Sequence, residues 1–106
     1  MDRVRVRVTI LQFVDDHFPG FVECSLVDSD GRDHHFVEKG PVVSAANLCF
    51  DSAHRQPGHI ACVVQDEWTD ELGRKLVRVD TDEPWGVKSV AGETNFTVLH
   101  EQVVRG

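Results

Sequence analysis

Residues 3–10 have the sequence RVRVRVTI, in which apolar β-branched side chains alternate with polar ones. A period of two is that of a β-strand with one face toward a core and the other toward water. In a helix the same valines would be spread around the whole circumference, and β-branched residues are poor helix formers. This stretch therefore predicts a half-buried strand near the start of the chain.

The rest of the chain consists of strand-length segments between regularly placed glycine and proline residues. Breaks about every ten residues are typical of sandwich or barrel strands. The breaks are Pro19-Gly20, Asp30-Gly31, Gly40-Pro41, Pro57-Gly58, Gly73, Pro84-Trp85-Gly86 and Gly92-Glu93. The segments between them predict strands through Val22, Cys24 and Leu26, and over residues 33–39, 59–68, 74–81, 86–91 and 95–100.

One segment, residues 44–50, has the sequence SAANLCF and predicts a short helical turn, because Ser44 can cap it and alanine favours helix. The order is then three strands, a helical turn and three or four more strands. An open sheet of this size would expose its edges to aggregation, so we expect it to close.

We therefore predict an all-β single domain over residues 1–106. The expected form is a small antiparallel barrel, OB-like or SH3-like, or a tight sandwich, with about six or seven strands. The similarity to an OB-like barrel lies in the order of elements, since that fold also carries a helix between its third and fourth strands. The pairing register of residues 59–68 is left open, because residues 59–64 are apolar on both faces.

Composition limits the function classes. The chain has 106 residues, of which 41% are hydrophobic and 27% charged, a balance typical of globular proteins. Its net charge is −7, which repels nucleic-acid phosphate and anionic membranes, so neither is expected as a partner. Residues 1–14 nevertheless hold three arginines against one aspartate, whereas residues 66–83 hold seven acids against three bases.

The three cysteines, at positions 24, 49 and 62, are odd in number and form no CxxC pair. We expect reduced thiols and a cytoplasmic protein, since the N-terminal residues also lack the pattern of a signal peptide.

Four residues form a weak metal-site pattern: Cys49, His54, His59 and Cys62, with Asp51 nearby. Zinc is usually held by close ligand pairs, and no tight pair occurs here. On a strand, moreover, His59 and Cys62 would point to opposite faces. We therefore predict neither a metal nor a cofactor. Cys49 is the best candidate for a reactive thiol, because His54 and Arg55 follow it, but no catalytic residue is predicted.

Candidate binding residues are aromatic side chains and acids in the loops: Phe18, Trp68, Asp70, Glu71, Asp82, Glu83 and Trp85. Trp85 lies between proline and glycine in a stiff turn. It can cover the end of the core or stand out as a binding anchor, and general burial statistics favour the core position.

Three functions are compatible with these features. The favoured one is a non-catalytic acidic interaction protein, of the small inhibitor or immunity type, that binds a protein partner with a basic surface or a second copy of itself. The second is a barrel that binds a small molecule in an apolar pocket near Phe36, Phe50, Phe96 and Trp85. The third, an enzyme that uses Cys49, His54 or His59, would require a depressed thiol pKa or bound zinc.

Overall fold

A computed structural model describes residues 3–15, 20–44 and 55–105, with the backbone alone for Asp15. The predicted all-β class is confirmed: the elements are antiparallel strands with one short helix and one 3-10 turn. In chain order they are β1 (Arg3–Asp15), β2 (Phe21–Val27), β3 (Asp33–Lys39), α1 (Gly40–Val43), β4 (Gln56–Thr69), β5 (Lys75–Asp80), β6 (Asn95–Leu99), the 3-10 turn (His100–Gln102) and β7 (Val103–Val104).

The strands form one antiparallel sheet in the order β3-β2-β1-β4-β5-β6. β7 follows β6 along the chain and pairs with β1, so the sheet curls back on itself as a half-barrel. Backbone hydrogen bonds bridge the opening: the β2–β3 turn bonds to β6, and the connection between β5 and β6 bonds to β3. The Ser29 N–H donates to the Thr97 carbonyl at 2.8 Å, and the Val90 N–H donates to the His35 carbonyl at 2.8 Å.

The alternation in β1 places its valines inside the half-barrel, as its sequence predicts. Val4, Val6, Val8 and Ile10 are buried, whereas the arginines between them are exposed. β3 and β6 each contribute one phenylalanine to the same core, and the Phe36 and Phe96 rings meet edge to face with centroids 5.5 Å apart. Such aromatic pairs add specific geometry to the general gain from apolar burial.

β4 pairs with two neighbours in succession. Residues 56–63 pair with β1, and residues 63–69 pair with β5, with a bulge between Val64 and Asp66. β5 therefore pairs with only the second half of β4. Beside the first half lie α1 and the connection between β5 and β6, and this arrangement creates the groove described below.

The short helix lies just before the segment predicted to be helical. It starts at Gly40, and the fixed φ of Pro41 suits the first turn of a helix. Ser44 ends the helix by donating its backbone N–H to the Gly40 carbonyl, although the sequence had suggested it as a start. Residues 45–50, the rest of the predicted turn, lie outside the described residues.

The predicted strand over residues 86–91 is wrong, because these residues form loops and a tight turn. Ser89 and Glu93 close that turn: the Ser89 N–H donates to the Glu93 carbonyl, and the Glu93 N–H donates to Ser89 Oγ at 3.0 Å. Val87 is buried in the core, whereas Val90 lies in the turn and is exposed.

Candidate functional site

The first part of the connection between β5 and β6, residues 81–87, is called the β5–β6 loop and is tied closely to the core. Thr81 is fully buried, and its hydroxyl donates to the Val87 carbonyl at 2.7 Å. The Val87 N–H donates back to the Thr81 carbonyl at 3.0 Å, so the two ends of the loop are clamped together. Within the loop, the Gly86 N–H donates to the Asp82 carbonyl at 2.7 Å. This pattern holds the segment between Thr81 and Val87 as one tight turn.

The clamped loop presents Trp85 to solvent. Trp85 is 69% exposed, and its neighbours Asp82 and Glu83 are exposed as well. The expectation that Trp85 covers the end of the core is therefore wrong. The physical reason is that Val87 takes the buried position of the loop, at 1% exposure, and leaves the tryptophan on the outer side. An exposed indole beside two carboxylates is an uncommon arrangement for a residue type that is usually well buried.

The predicted acidic candidates do not form one patch. Asp70 and Glu71 lie in the β4–β5 turn, beyond the Thr69–Lys75 pair, whereas Asp82 and Glu83 lie past the Val63–Asp80 pair at the other end of the same hairpin. Six residues of strand, or about 20 Å, separate the two ends. Trp68 lies at the turn end and is 39% exposed.

Asp70 has a structural role in its own turn. Its Oδ1 accepts the backbone N–H groups of Leu72 and Arg74, and its Oδ2 accepts the Arg74 side chain at 2.8 Å. Because both carboxylate oxygens are already engaged, Asp70 is a weaker candidate for partner binding than Asp82 or Glu83.

A groove of about 430 Å³ lies beside Trp85 on the outer face of β1 and β4. Residues of α1 and Trp85 are both part of its lining. The lining residues are Arg5, Pro41, Val42, Val43, Ser44, Pro57, His59, Ala61 and Trp85. Arg5 and His59 come from the neighbouring strands β1 and β4, and the register pairs Arg5 with Ala61 and Arg7 with His59.

Arg5 lines this groove, and Arg7 is paired with His59 across β1 and β4. Partial burial lowers the pKa of His59, and the charges of Arg5 and Arg7 lower it further. All three effects favour the neutral form of the imidazole. Sequence reasoning assigned no role to Arg5, because its placement beside His59 depends on a pairing between residues more than fifty positions apart.

Of the metal and thiol candidates, the two that the structure describes, His59 and Cys62, are not brought together. Cys62 is buried in the core, whereas His59 lies on the opposite face, as a strand at this position predicts. Burial raises the pKa of the Cys62 thiol to about 12, and burial near Glu38 and Glu23 raises that of Cys24 to about 12. Both are free thiols without nucleophilic character. Cys49, Asp51 and His54 lie outside the described residues.

Two of the four aromatic residues predicted to line an apolar ligand pocket lie in the packed core. Phe36 and Phe96 are buried against each other, and Trp85 is on the outer surface. Phe50 and Phe18 fall outside the described residues. Across residues 3–15, 20–44 and 55–105, no group of three or more histidine, cysteine or acidic side chains could hold a metal ion.

The same described ranges contain no helix with the length and apolar character needed to cross a membrane. Comparison with protein-family models, with curated proteins and with solved structures found no match to this chain.

Proposed function

We propose that this chain is a non-catalytic interaction domain that binds a protein with a basic surface through its β5–β6 loop. The recognition residues are Trp85, Asp82 and Glu83. The observation that carries the proposal is the 69% exposure of Trp85 on a loop that is otherwise clamped to the core. Tryptophan is enriched among the residues that dominate binding energy at protein interfaces.

The clamp supports the proposal because a rigid loop loses little conformational entropy on binding. Thr81 and Val87 fix the two ends of the loop, and Asp80 accepts the Asp82 N–H at 2.9 Å. The backbone that carries the exposed indole is thus fixed before any partner arrives. Preorganised aromatic anchors give more net affinity per contact than mobile ones, since less ordering is required.

Charge supports a basic partner. Asp82 and Glu83 lie next to the indole, Asp80 is two residues before them, and the whole chain carries a net charge of −7. Opposite charge on the partner would speed association and would be screened by salt. In a two-fold dimer built on this loop, the carboxylates of both copies would face one another, so the proposed partner is a different chain.

A cytoplasmic location belongs to the same proposal. The buried free thiols of Cys24 and Cys62 fit a reducing compartment, where protein thiols are kept reduced.

Affinity capture with matched variants tests the proposal. The intact protein, a loop variant (Asp82→Asn, Glu83→Gln, Trp85→Ala) and a charge-matched control (Glu71→Gln, Glu101→Gln) are each used as bait in host extract. Retained proteins are identified by mass spectrometry at low and high salt. Both variants lose two negative charges, but only the first alters the loop.

We expect a basic protein to be retained by the intact chain and the control, lost with the loop variant, and released by salt. Retention by the loop variant, loss with the control, or a complex insensitive to salt would each contradict the proposal.

A further inference from the structure

We propose that the side chain of the partner that meets Trp85 is an arginine, which stacks on the indole and pairs with the Asp82 carboxylate. This inference rests on the proposed function and goes further, because it names the side chain that the β5–β6 loop recognises. Lysine carries the same charge as arginine, so a preference for a basic surface alone would not distinguish the two.

The carboxylates of the loop are available to a cation. The backbone of Asp82 is already engaged, since its N–H donates to Asp80 Oδ1 at 2.9 Å and its carbonyl accepts the Gly86 N–H at 2.7 Å. Its side chain differs: within the part of the chain that the structure describes, no group donates to the carboxylate of Asp82 or of Glu83. Both residues are exposed, so an incoming cation can reach them.

The β4–β5 turn shows how the same kind of carboxylate is engaged elsewhere in the chain. Residues 70–74 (DELGR) begin with the same Asp-Glu pair as residues 82–86 (DEPWG). In the first turn, Arg74 donates its Nε–H to Asp70 Oδ2 at 2.8 Å. The second turn has a glycine at the fifth position and no basic residue of its own. An arginine from a partner would supply the contact that Arg74 makes within the chain.

The positions of the carboxylate and the indole favour one side chain that contacts both. Asp82 Oδ1 lies 4.0 Å from the point where a Cβ at Gly86 would be, so this carboxylate lies close to the residue that follows Trp85. A guanidinium is planar: its face can stack on an indole while its edge donates two parallel hydrogen bonds to a carboxylate. A lysine ammonium is a compact point charge without a flat face, so it gains less from the same pair of groups.

The test compares two peptides of equal length and charge, acetyl-GRGRG-amide and acetyl-GKGKG-amide. Each is titrated at low salt into the ¹⁵N-labelled full chain, while the Trp85 indole N–H resonance and the amide resonances of the loop are followed. We expect both peptides to shift these resonances in a saturable manner. The arginine peptide should bind about fivefold more tightly, because it adds stacking and a second hydrogen bond to the ion pair.

Matched variants show which groups cause the preference for arginine. Asp82→Asn removes the carboxylate, so the preference should fall to about twofold or less. Trp85→Leu keeps an apolar side chain but removes the aromatic face, and should also lower the preference. Glu71→Gln removes one negative charge from the β4–β5 turn and should leave the preference unchanged. The comparison of the two peptides on the intact chain holds even if a variant does not fold.

Equal binding of the two peptides, absence of saturable shifts in the loop, shifts confined to the β4–β5 turn, or an unchanged preference in Asp82→Asn would each overturn the inference. The peptide comparison needs no natural partner. Capture of a basic protein through the loop, together with equal binding of the peptides, would contradict the role of arginine and leave the proposed function standing. A capture that retains no basic protein would count against the proposed function whatever the peptides show.

Discussion

Thr81 is the residue on which the geometry of the β5–β6 loop most depends. Its hydroxyl is fully buried and satisfies the Val87 carbonyl at 2.7 Å. A buried acceptor that loses its donor costs free energy, since water cannot replace the lost hydrogen bond. The stability of the turn that presents Trp85 is thus linked to one side chain in the core.

We expect Thr81→Val to lower the free energy of unfolding by about 1–2 kcal/mol, because valine has the same shape but cannot donate. Urea unfolding measures the change. The same exchange at Thr97, a half-buried residue of β6, is the control and should change stability by about 0.5 kcal/mol or less. Equal effects at the two positions would show that the Thr81 hydrogen bond does not stabilise the loop.

Asp28 gives the stability of the protein a dependence on acid pH. Desolvation tends to raise its pKa, but hydrogen bonds from His34 and from the backbone N–H groups of Arg32 and Asp30 outweigh this and lower it. A carboxyl whose pKa is lower in the folded state stabilises the fold above its ordinary pKa. That contribution is lost as the pH falls through the folded value.

The wild-type protein should therefore lose stability as the pH is lowered from about 5 through 4 and below. In Asp28→Asn the loss should be smaller, because the amide oxygen still accepts hydrogen bonds but does not titrate in this range. Denaturant midpoints measured across this pH range provide the comparison, with Asp33→Asn as the control carboxylate on β3. If Asp28→Asn showed the same acid dependence as the wild type, the proposed role of Asp28 would be wrong.

At the scale of single residues, sequence identifies which side chains are unusual but not where they point. Pro84 and Gly86 correctly placed Trp85 in a turn. Its outward direction depends on Val87 taking the buried position, and on the clamp from Thr81, six residues away. General burial statistics for tryptophan include neither effect.

At the scale of elements, three turns of the half-barrel share one design. In residues 28–32 (DSDGR) and 70–74 (DELGR), the first backbone N–H donates to the fifth carbonyl, and the fourth donates to the first carbonyl. The aspartate side chain then accepts the third and fifth N–H groups. Residues 89–93 (SVAGE) repeat the backbone pattern, with a serine hydroxyl accepting the fifth N–H.

The glycine at the fourth position of each turn has φ near +80°, a conformation that other residues adopt only with strain. The two aspartate turns also contact each other, since Arg74 donates to the Ser29 carbonyl at 3.1 Å. These turns explain why glycine and aspartate predicted the hairpins well: the turn chemistry is local.

Gly58 differs from these turn glycines, because it is required by close packing against a segment distant in sequence. A Cβ at this position would lie 2.7 Å from the Val43 carbonyl oxygen and 3.0 Å from the Ile10 side chain. The close contact between α1 and β4 therefore depends on the absence of a side chain. This contact also sets the position of one side of the groove.

We expect Gly58→Ala to destabilise the protein by about 1–3 kcal/mol, the usual range for overpacking a tight contact. Adding Ile10→Val removes the apolar part of the conflict and should restore some of this loss, but the Val43 backbone contact stays. Thermal or urea unfolding of the single and double variants measures both effects. An alanine variant as stable as the wild type would contradict the close packing of α1 on β4.

The strands were predictable where apolar and polar residues alternate within one short segment of sequence. Valine and arginine alternate through the first half of β1, and this alternation defines both faces of the strand. The strand predicted over residues 86–91 does not form, because the turn closed by Ser89 and Glu93 interrupts it. The division of β4 between β1 and β5 could not be predicted, because pairing is decided by residues far apart in sequence.

At the scale of the whole molecule, the curled sheet creates the groove and positions the docking loop. β5 covers only the second half of β4, so α1 and the β5–β6 loop flank the first half and leave the groove between them. The same loop carries the exposed Trp85. The curling of the sheet was predictable from the number of strands and the need to protect edges, although the predicted form was a barrel or a sandwich and the sheet is a half-barrel. The groove was not predictable, since it depends on where β5 ends relative to β4.

The central claim is that Trp85 is an exposed side chain on a rigid loop. Acrylamide quenching of tryptophan fluorescence in a Trp68→Phe variant tests it most directly, because Trp85 is then the only tryptophan in the chain. We predict red-shifted emission and a quenching constant approaching that of free tryptophan in water. Blue-shifted emission with weak quenching would show that Trp85 is buried, and would contradict both the docking loop and the groove.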